Sequence, residues 1–303
     1  MNVIELQHLT KTFGSVKAVN KLSLSVPRGS IYGFIGPNGS GKTTTIRMIM
    51  KIMYPDKGEI IINGQNLNSF RPDSIGYLPE DRGLYKKMKV GELLRFHSEL
   101  NSGSWSDEKI KNWLTKLELE KYTNKKVETL SKGMRQKLQF IATIINQPDI
   151  IILDEPFSGL DPVNAETLKD IILDLQKEGS TIIFSTHDMS MAEKMCDYIF
   201  MIYKGEKVLD GTLTEIQNQY GSDTLLVQTD KGPDILNEIK GVEKVNNFGK
   251  IQEVKLEMDA DSQKILAAIM KKAKVFKFEI TKPSLNDIFI RIASPEKKEL
   301  DHA

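Results

Sequence analysis

The chain is poor in cysteine: Cys196 stands alone in 303 residues, so no disulfide can close within it. A single thiol of this kind reads as a small packed core residue. Long apolar runs are missing too. None exceeds six residues, the two of that length lying at 198–203 and 265–270, far below the roughly 20 that cross a bilayer. The N-terminal M-N-V-I-E-L-Q has neither the basic nor the apolar region of an export signal. A surplus of either charge is also absent, with 42 basic against 41 acidic side chains. That balance excludes the electrostatic footprint left by nucleic-acid or anionic-membrane binding. Together these absences favour the cytoplasm and leave any membrane attachment to a partner.

What is present is ordinary globular material. Forty per cent hydrophobic and 27% charged residues supply a sizeable core, and the length favours a large domain plus a smaller one. Residues 3–35 read as N-terminal antiparallel strands: Leu22, Leu24 and Val26 alternate with polar neighbours, and 31–35 is a compact apolar run. A glycine-rich loop and a helix at about 42–53 follow. Short strands at 59–63, 74–78, 150–154 and 181–185, separated by helical patterns, imply an α/β fold with parallel strands. Residues 84–148 contain only helical segments, such as 90–100 and 107–117, and read as a helical insertion.

Asp161-Pro162 opens a further helix, with the aspartate as N-cap and the proline at the first position. Its apolar face is Leu168, Ile171, Ile172 and Leu175, and Gly179 stops it. Residues 198–211 read as a hairpin turning at Lys204-Gly205. After Tyr220 the order is strand (225–228), helix (234–239), strand (242–245), strand (251–258), helix (261–271), strand (274–280). That β-α-β-β-α-β succession describes a small ferredoxin-like α+β unit. A short amphipathic helix at 284–292 and a polar tail close the chain. The expected domains are therefore 1–220 and 221–295, with the tail at 296–303.

The chemistry is concentrated in a few segments. G-P-N-G-S-G-K-T at 36–43 follows the strand at 31–35 and opens a helix, the context in which this spacing binds phosphate. Glycines let the N–H groups from Gly39 to Thr43 face the phosphates, and the helix dipole adds to the attraction. Lys42 is placed to reach the β- and γ-phosphates and Thr43 to ligate Mg²⁺. The strand at 150–153 delivers Asp154 and Glu155 at its carboxyl end, where α/β sheets bind ligands. Asp154 suits a water-mediated hold on Mg²⁺, and Glu155 suits orienting or deprotonating the attacking water. His187, directly after T-I-I-F-S-T, stands beside the same sheet edge and can hydrogen-bond the γ-phosphate.

In order, the phosphate loop, L-S-K-G-M-R-Q (130–136), I-I-I-L-D-E-P (150–156), S-G-L-D (158–161) and S-T-H-D (185–188) resemble the nucleotide-binding subunit of an ABC transporter. The match spans about residues 3–215. It implies a P-loop ATPase, two copies of which hold two Mg-ATP between them and drive a separate integral membrane permease. On the ATP of its own chain the resemblance places Gly36, Pro37, Asn38, Gly39, Ser40, Gly41, Lys42, Thr43 and Thr44, with Phe13 stacked on adenine. Ser131 and Gly133 are implied to contact the γ-phosphate held by the other copy, for which a helix N-terminus at Ser131 supplies the physical reason. Asp161 lies in the loop implied to communicate across the dimer.

Two departures stand out. Lys132 and Met134 replace a glycine and a glutamine of the usual L-S-G-G-Q, and Glu80 occupies the place of a glutamine that senses Mg²⁺, adding negative charge near the phosphates. The segment P-E-D-R-G-L together with P-S-L-N-D-I-F-I (283–290) resembles a narrower group, ATPases of ABC-2-type exporters similar to the sodium-export ATP-binding protein. The implied partners are a second ATPase subunit, as a homodimer, and the permease, with no nucleic acid; the implied location is the inner face of the cell membrane. The alternative is a soluble ABC-type ATPase acting as a mechanical or regulatory module.

Overall fold

The computed structural model describes residues 1–70, 74–80, 83–100, 106–220, 224–257 and 260–293. The expected tail at 296–303 lies outside them, as do Asp81 and Arg82 of the P-E-D-R-G-L segment. The chain divides into two compact units, Met1–Thr212 and Leu213–Ala303.

In the first unit β1 (Asn2–Phe13) and β2 (Val16–Pro27) form an antiparallel hairpin, and β3 (Ile31–Ile35) leads into α1 (Lys42–Ile49). β4 (Lys57–Ile62) and the two-residue β5 (Gln65–Asn66) complete a sheet of order β2-β1-β4-β5. β6 (Ile75–Leu78) precedes the helical insertion, which holds α2 (Val90–Leu100), α3 (Asp107–Lys116) and α4 (Lys132–Ile144). Then follow β7 (Ile150–Asp154), α5 (Pro162–Lys177), β8 (Thr181–Thr186), α6 (Met189–Met195), β9 (Tyr198–Tyr203) and β10 (Glu206–Gly211). They assemble a six-stranded sheet, β10-β9-β3-β8-β7-β6, parallel except for β10.

Strand parity explains why this sheet is buried on both faces. Ile150 and Ile152 enter the core shared with the hairpin sheet, alongside Leu6, Phe34 and Phe200. Ile151 and Leu153 point the opposite way, into the core formed with the insertion through Leu93, Leu138 and Ile141. A parallel sheet covered on both sides needs such near-continuous apolar runs. The alternation expected at Leu22, Leu24 and Val26 is likewise realised, all three being buried.

Some boundaries differ from expectation. α1 stops at Ile49 rather than about Met53, because Lys51 takes a left-handed φ of 59° and Pro55 resists helix just beyond. α6 is short and weakly periodic; Asp188 caps it, accepting from the Met191 N–H at 3.1 Å.

The second unit begins with α7 (Leu213–Gln219), ahead of the pattern change after Tyr220. Gln217 donates to the Pro283 carbonyl at 3.0 Å and Lys282 to Asn218 at 2.9 Å, tying this helix to the end of the unit. β11 (Thr224–Thr229), α8 (Asp234–Asn237), β12 (Val242–Phe248), β13 (Ile251–Leu256), α9 (Ser262–Lys272), β14 (Val275–Thr281) and α10 (Leu285–Ala293) follow. The all-antiparallel sheet of order β12-β13-β11-β14 is the ferredoxin-like arrangement, with Leu225, Val227, Val254, Ile265 and Ile269 in its core.

Cys196 packs against the first core, and burial pushes its thiol well above the usual range. Its sulfur faces Gly33 in β3, where an added Cβ would collide with Sγ; a glycine inside a buried strand marks such a close approach. Gly33→Ala is expected to cost about 1–3 kcal/mol by overpacking. Thermal unfolding checks this, and adding Cys196→Ala is expected to recover most of the lost stability.

Candidate active site

The loop between β3 and α1 is shaped by glycines at strained positions. Gly36, Gly39 and Gly41 have φ of 152°, 76° and 113°. A Cβ at Gly36 would strike the Ile202 carbonyl, and one at Gly41 the Ala18 carbonyl. Only glycine satisfies both demands. Gly41 is also the N-cap of α1 and offers no side-chain cap, so the first turn presents its N–H groups and positive dipole end to whatever enters.

Lys42 closes the loop on itself. Its Nζ donates to the Gly36 carbonyl at 2.7 Å and the Pro37 carbonyl at 3.2 Å, and lies 3.9 Å from Glu155 Oε1. Burial depresses its pKa, while the charges of Glu155, Asp154 and Glu80 act in the opposite direction. In front of it opens a cavity of about 340 Å³, lined by Asn38, Gly39, Gly41, Lys42, Thr43 and Thr44, with Ala18, Glu80 and Glu155.

The carboxylates arrive from the next strands. Thr43 Oγ1 donates to Asp154 Oδ1 at 3.4 Å, and the Ser185 hydroxyl donates to the same oxygen. Asp154 Oδ2 is buried with no hydrogen-bond partner among the described residues. A buried carboxylate oxygen is costly to leave unpaired, and beside Thr43 it fits a hard cation that takes oxygen ligands. Glu155 adopts a left-handed φ of 51°, a conformation costing on the order of 1–2 kcal/mol outside glycine. It is held there by its N–H, which donates to both the carbonyl (3.2 Å) and the hydroxyl (3.1 Å) of Ser185. Its Oε1 lies 2.9 Å from Nδ1 of His187.

The remaining expected residues stand elsewhere. Ser131 is the N-cap of α4, accepting from the Met134 N–H at 3.2 Å. At Gly133 an added Cβ would make only ordinary contact with Leu160, at 3.7 Å, so the chain's own packing does not demand glycine there. Asp161 caps α5 through the Asn164 N–H at 3.1 Å, which holds its carboxyl below the usual range. None of these three lines the phosphate-loop cavity. Phe13, at the end of β1, is 50% exposed with Lys11 Nζ 5.7 Å from its ring centre. The ammonium of Lys132 lies over Gly159.

Three residues of the site were not singled out in the sequence. Ser185 braces the Asp154 carboxylate and the Glu155 backbone; its signal was a hydroxyl in the last positions of a buried apolar strand. Gln136, buried in α4, donates to the Pro156 carbonyl and ties that helix to the carboxylate loop. Ala18 meets Gly41 only through the fold.

Residues 19–158 match the ABC transporter family, and residues 211–293 match the C-terminal domain of DrrA1-3-like ATP-binding proteins. An uncharacterized ABC transporter ATP-binding protein of Bacillus subtilis (strain 168), YhaQ, is 40% identical over 95% of this chain and 97% of its own length. The chain belongs to the ABC transporter ATP-binding proteins. Its ABC unit accordingly binds ATP and is an ATPase, as the ordered motifs led one to expect. The bacitracin transport ATP-binding protein BcrA of Enterococcus faecalis is 33% identical over 72% of this chain and 71% of its own length. Among solved structures, an ATP-binding subunit of an ABC transporter superposes with a TM-score of 0.67 at 30% identity, over 72% of this chain and 93% of its own.

Ser185→Ala removes the brace while leaving the strand intact. It is expected to destabilise the fold by about 1–3 kcal/mol and to reduce ATP turnover, both readable in one purified variant by thermal unfolding and a phosphate-release assay.

Proposed function

We propose that two copies of this ABC protein enclose two ATP molecules, each bound by the phosphate loop of one copy and by Ser131 and Gly133 of the other. ATP hydrolysis then drives a separate membrane permease of an exporter. The observation that carries this reading is that the ATP-site cavity is built on one side only. Lys42, Thr43 and Glu155 line it, with Asp154 behind Thr43, while the helix N-terminus at Ser131, which has the chemistry to bind phosphate, lies outside its lining. A site split in this way is complete only when two copies meet, so gain and loss of the γ-phosphate closes and opens the pair.

Within that reading, Lys42 meets the β- and γ-phosphates and Phe13 stacks on adenine. Thr43 and Asp154 hold Mg²⁺, with Glu80 facing the same cavity; the ion, when bound, neutralises developing phosphate charge. Glu155 orients or deprotonates the attacking water. His187 holds Glu155 through Nδ1, which leaves Nε2 to meet the γ-phosphate; donating through both nitrogens requires the imidazolium. Among the described residues no helix is long and apolar enough to cross a membrane, so the membrane step falls to the partner. An exporter partner is supported by the Nod factor export ATP-binding protein I of Cupriavidus pinatubonensis, 33% identical over 76% of this chain, and a transport role by the Enterococcus relative.

Glu155→Gln is expected to lower turnover by at least about a hundredfold while ATP still assembles a dimer on size exclusion. Turnover at the wild-type rate in that variant would remove Glu155 from its role. Lys42→Ala is expected to weaken ATP binding itself, and unchanged affinity by calorimetry would contradict the phosphate assignment.

A further inference from the structure

The ferredoxin-like unit carries two sheet edges of different character. Among the described side chains of β12 the exposed positions are Glu243, Lys244 and Asn247, polar groups of the kind that keep an edge in water. On β14 they include Phe276, 57% exposed, and Ile280, 49% exposed. β14 pairs with β11 along one side only. Among the described residues no strand pairs with its other side, so the N–H and C=O groups there, beside these two apolar side chains, form a template for another strand.

We propose that β14 pairs antiparallel with β14 of a second copy of this chain, joining two four-stranded sheets into one without the help of nucleotide. The strand reads V-F-K-F-E-I-T, and its self-complementarity selects one register. Residues directly opposite in an antiparallel pair share a face. Phe278 and Ile280 lie opposite the buried Val227 and Leu225 of β11, on the core face, which leaves Lys277 and Glu279 on the other. A two-fold axis at Phe278 then sets Lys277 against Glu279 of the second copy, and Phe276 against Ile280. An axis at Lys277 or at Glu279 would oppose like charges, and one at Phe276 or Ile280 would set Lys277 against Val275 or Glu279 against Thr281, leaving the charges without opposite partners. An axis between two residues would set a charged position against an apolar one.

Within one chain Lys277 and Glu279 already pair at 2.8 Å, so four charges of alternating sign would line one face of the seam. Phe276 is the extra residue of the irregularity between Gln228 and Thr229 in the pairing with β11. Such bulges often blunt an edge, yet here the bulged residue is a phenylalanine rather than a charge or a proline. Beyond the strand, Lys274 would face Lys282 of the second copy, which confines the contact to Val275–Thr281. In the ATP-driven cycle proposed above, a standing contact of this kind would keep two ATPase units at high effective concentration between turnovers.

Sedimentation velocity of the full chain without nucleotide, from ~1 to ~100 µM, tests the seam. A concentration-dependent dimer is expected. Glu279→Lys places only lysines along the charged face and is expected to weaken the dimer at least about tenfold; Lys277→Glu does the same with carboxylates. Combining both substitutions restores alternation and is expected to return the affinity to within about threefold. A monomer at every concentration, single reversals without effect, or a double reversal that fails to restore pairing would each overturn the proposal. The same Glu279→Lys change in a Glu155→Gln chain separates this seam from the ATP-bound pair: loss of the nucleotide-free dimer with the ATP-driven one retained supports two distinct contacts.

Discussion

The parallel pairing of β3, β8 and β7 decides where every charged group of the site can stand. Ile35 pairs with Thr186 and Asp154 with Ser185, so three strands end at the same edge. The glycine loop, the two carboxylates and His187 leave the sheet within reach of one another. Alternate residues of these strands fill opposite cores. A slip of one residue would exchange the two faces, so misplacing Asp154 or Glu155 would disrupt the whole hydrophobic interior.

On that edge the electrostatics are unbalanced by design of the residues. Lys42 is buried with Glu155 near it and with Asp154 and Glu80 adding negative charge. Polyphosphate entering such a cavity brings more. In the proposed reading the N–H groups of α1 and a hard cation at Asp154 and Thr43 would supply the opposing charge, the cation meeting the Asp154 oxygen that has no partner among the described residues. Ser185 bears the complementary burden: one hydroxyl satisfies Asp154 while the same residue pins the left-handed Glu155 backbone. Backbone strain of this kind persists only where neighbours over-determine it.

The second unit shows the same economy on a smaller scale. Its core is a single layer of aliphatic side chains between one sheet face and α8 and α9. Because such a unit cannot bury both sheet edges, their composition decides whether it stands alone. The polar β12 and the apolar, sign-alternating β14 give its two sides different capacities for association.

By itself the sequence determined the glycine loop between strand and helix, the apolar strand ending in Asp154 and Glu155, and the ferredoxin-like order, because each depends on local pattern: glycine spacing, buried apolar runs, caps and strand alternation. Its misjudgements were at places without local pattern. α6 and α7 are too short to show periodicity, and α7 is claimed by the second unit through bonds to Pro283 and Lys282, more than sixty residues away. Tertiary structure alone decided that Ser185 braces Asp154 and Glu155, that Gly33 makes room for Cys196, and that Ser131 and Gly133 lie outside the cavity of their own chain. Those facts depend on which strand ends beside which, and neighbours in the sheet are remote in the chain.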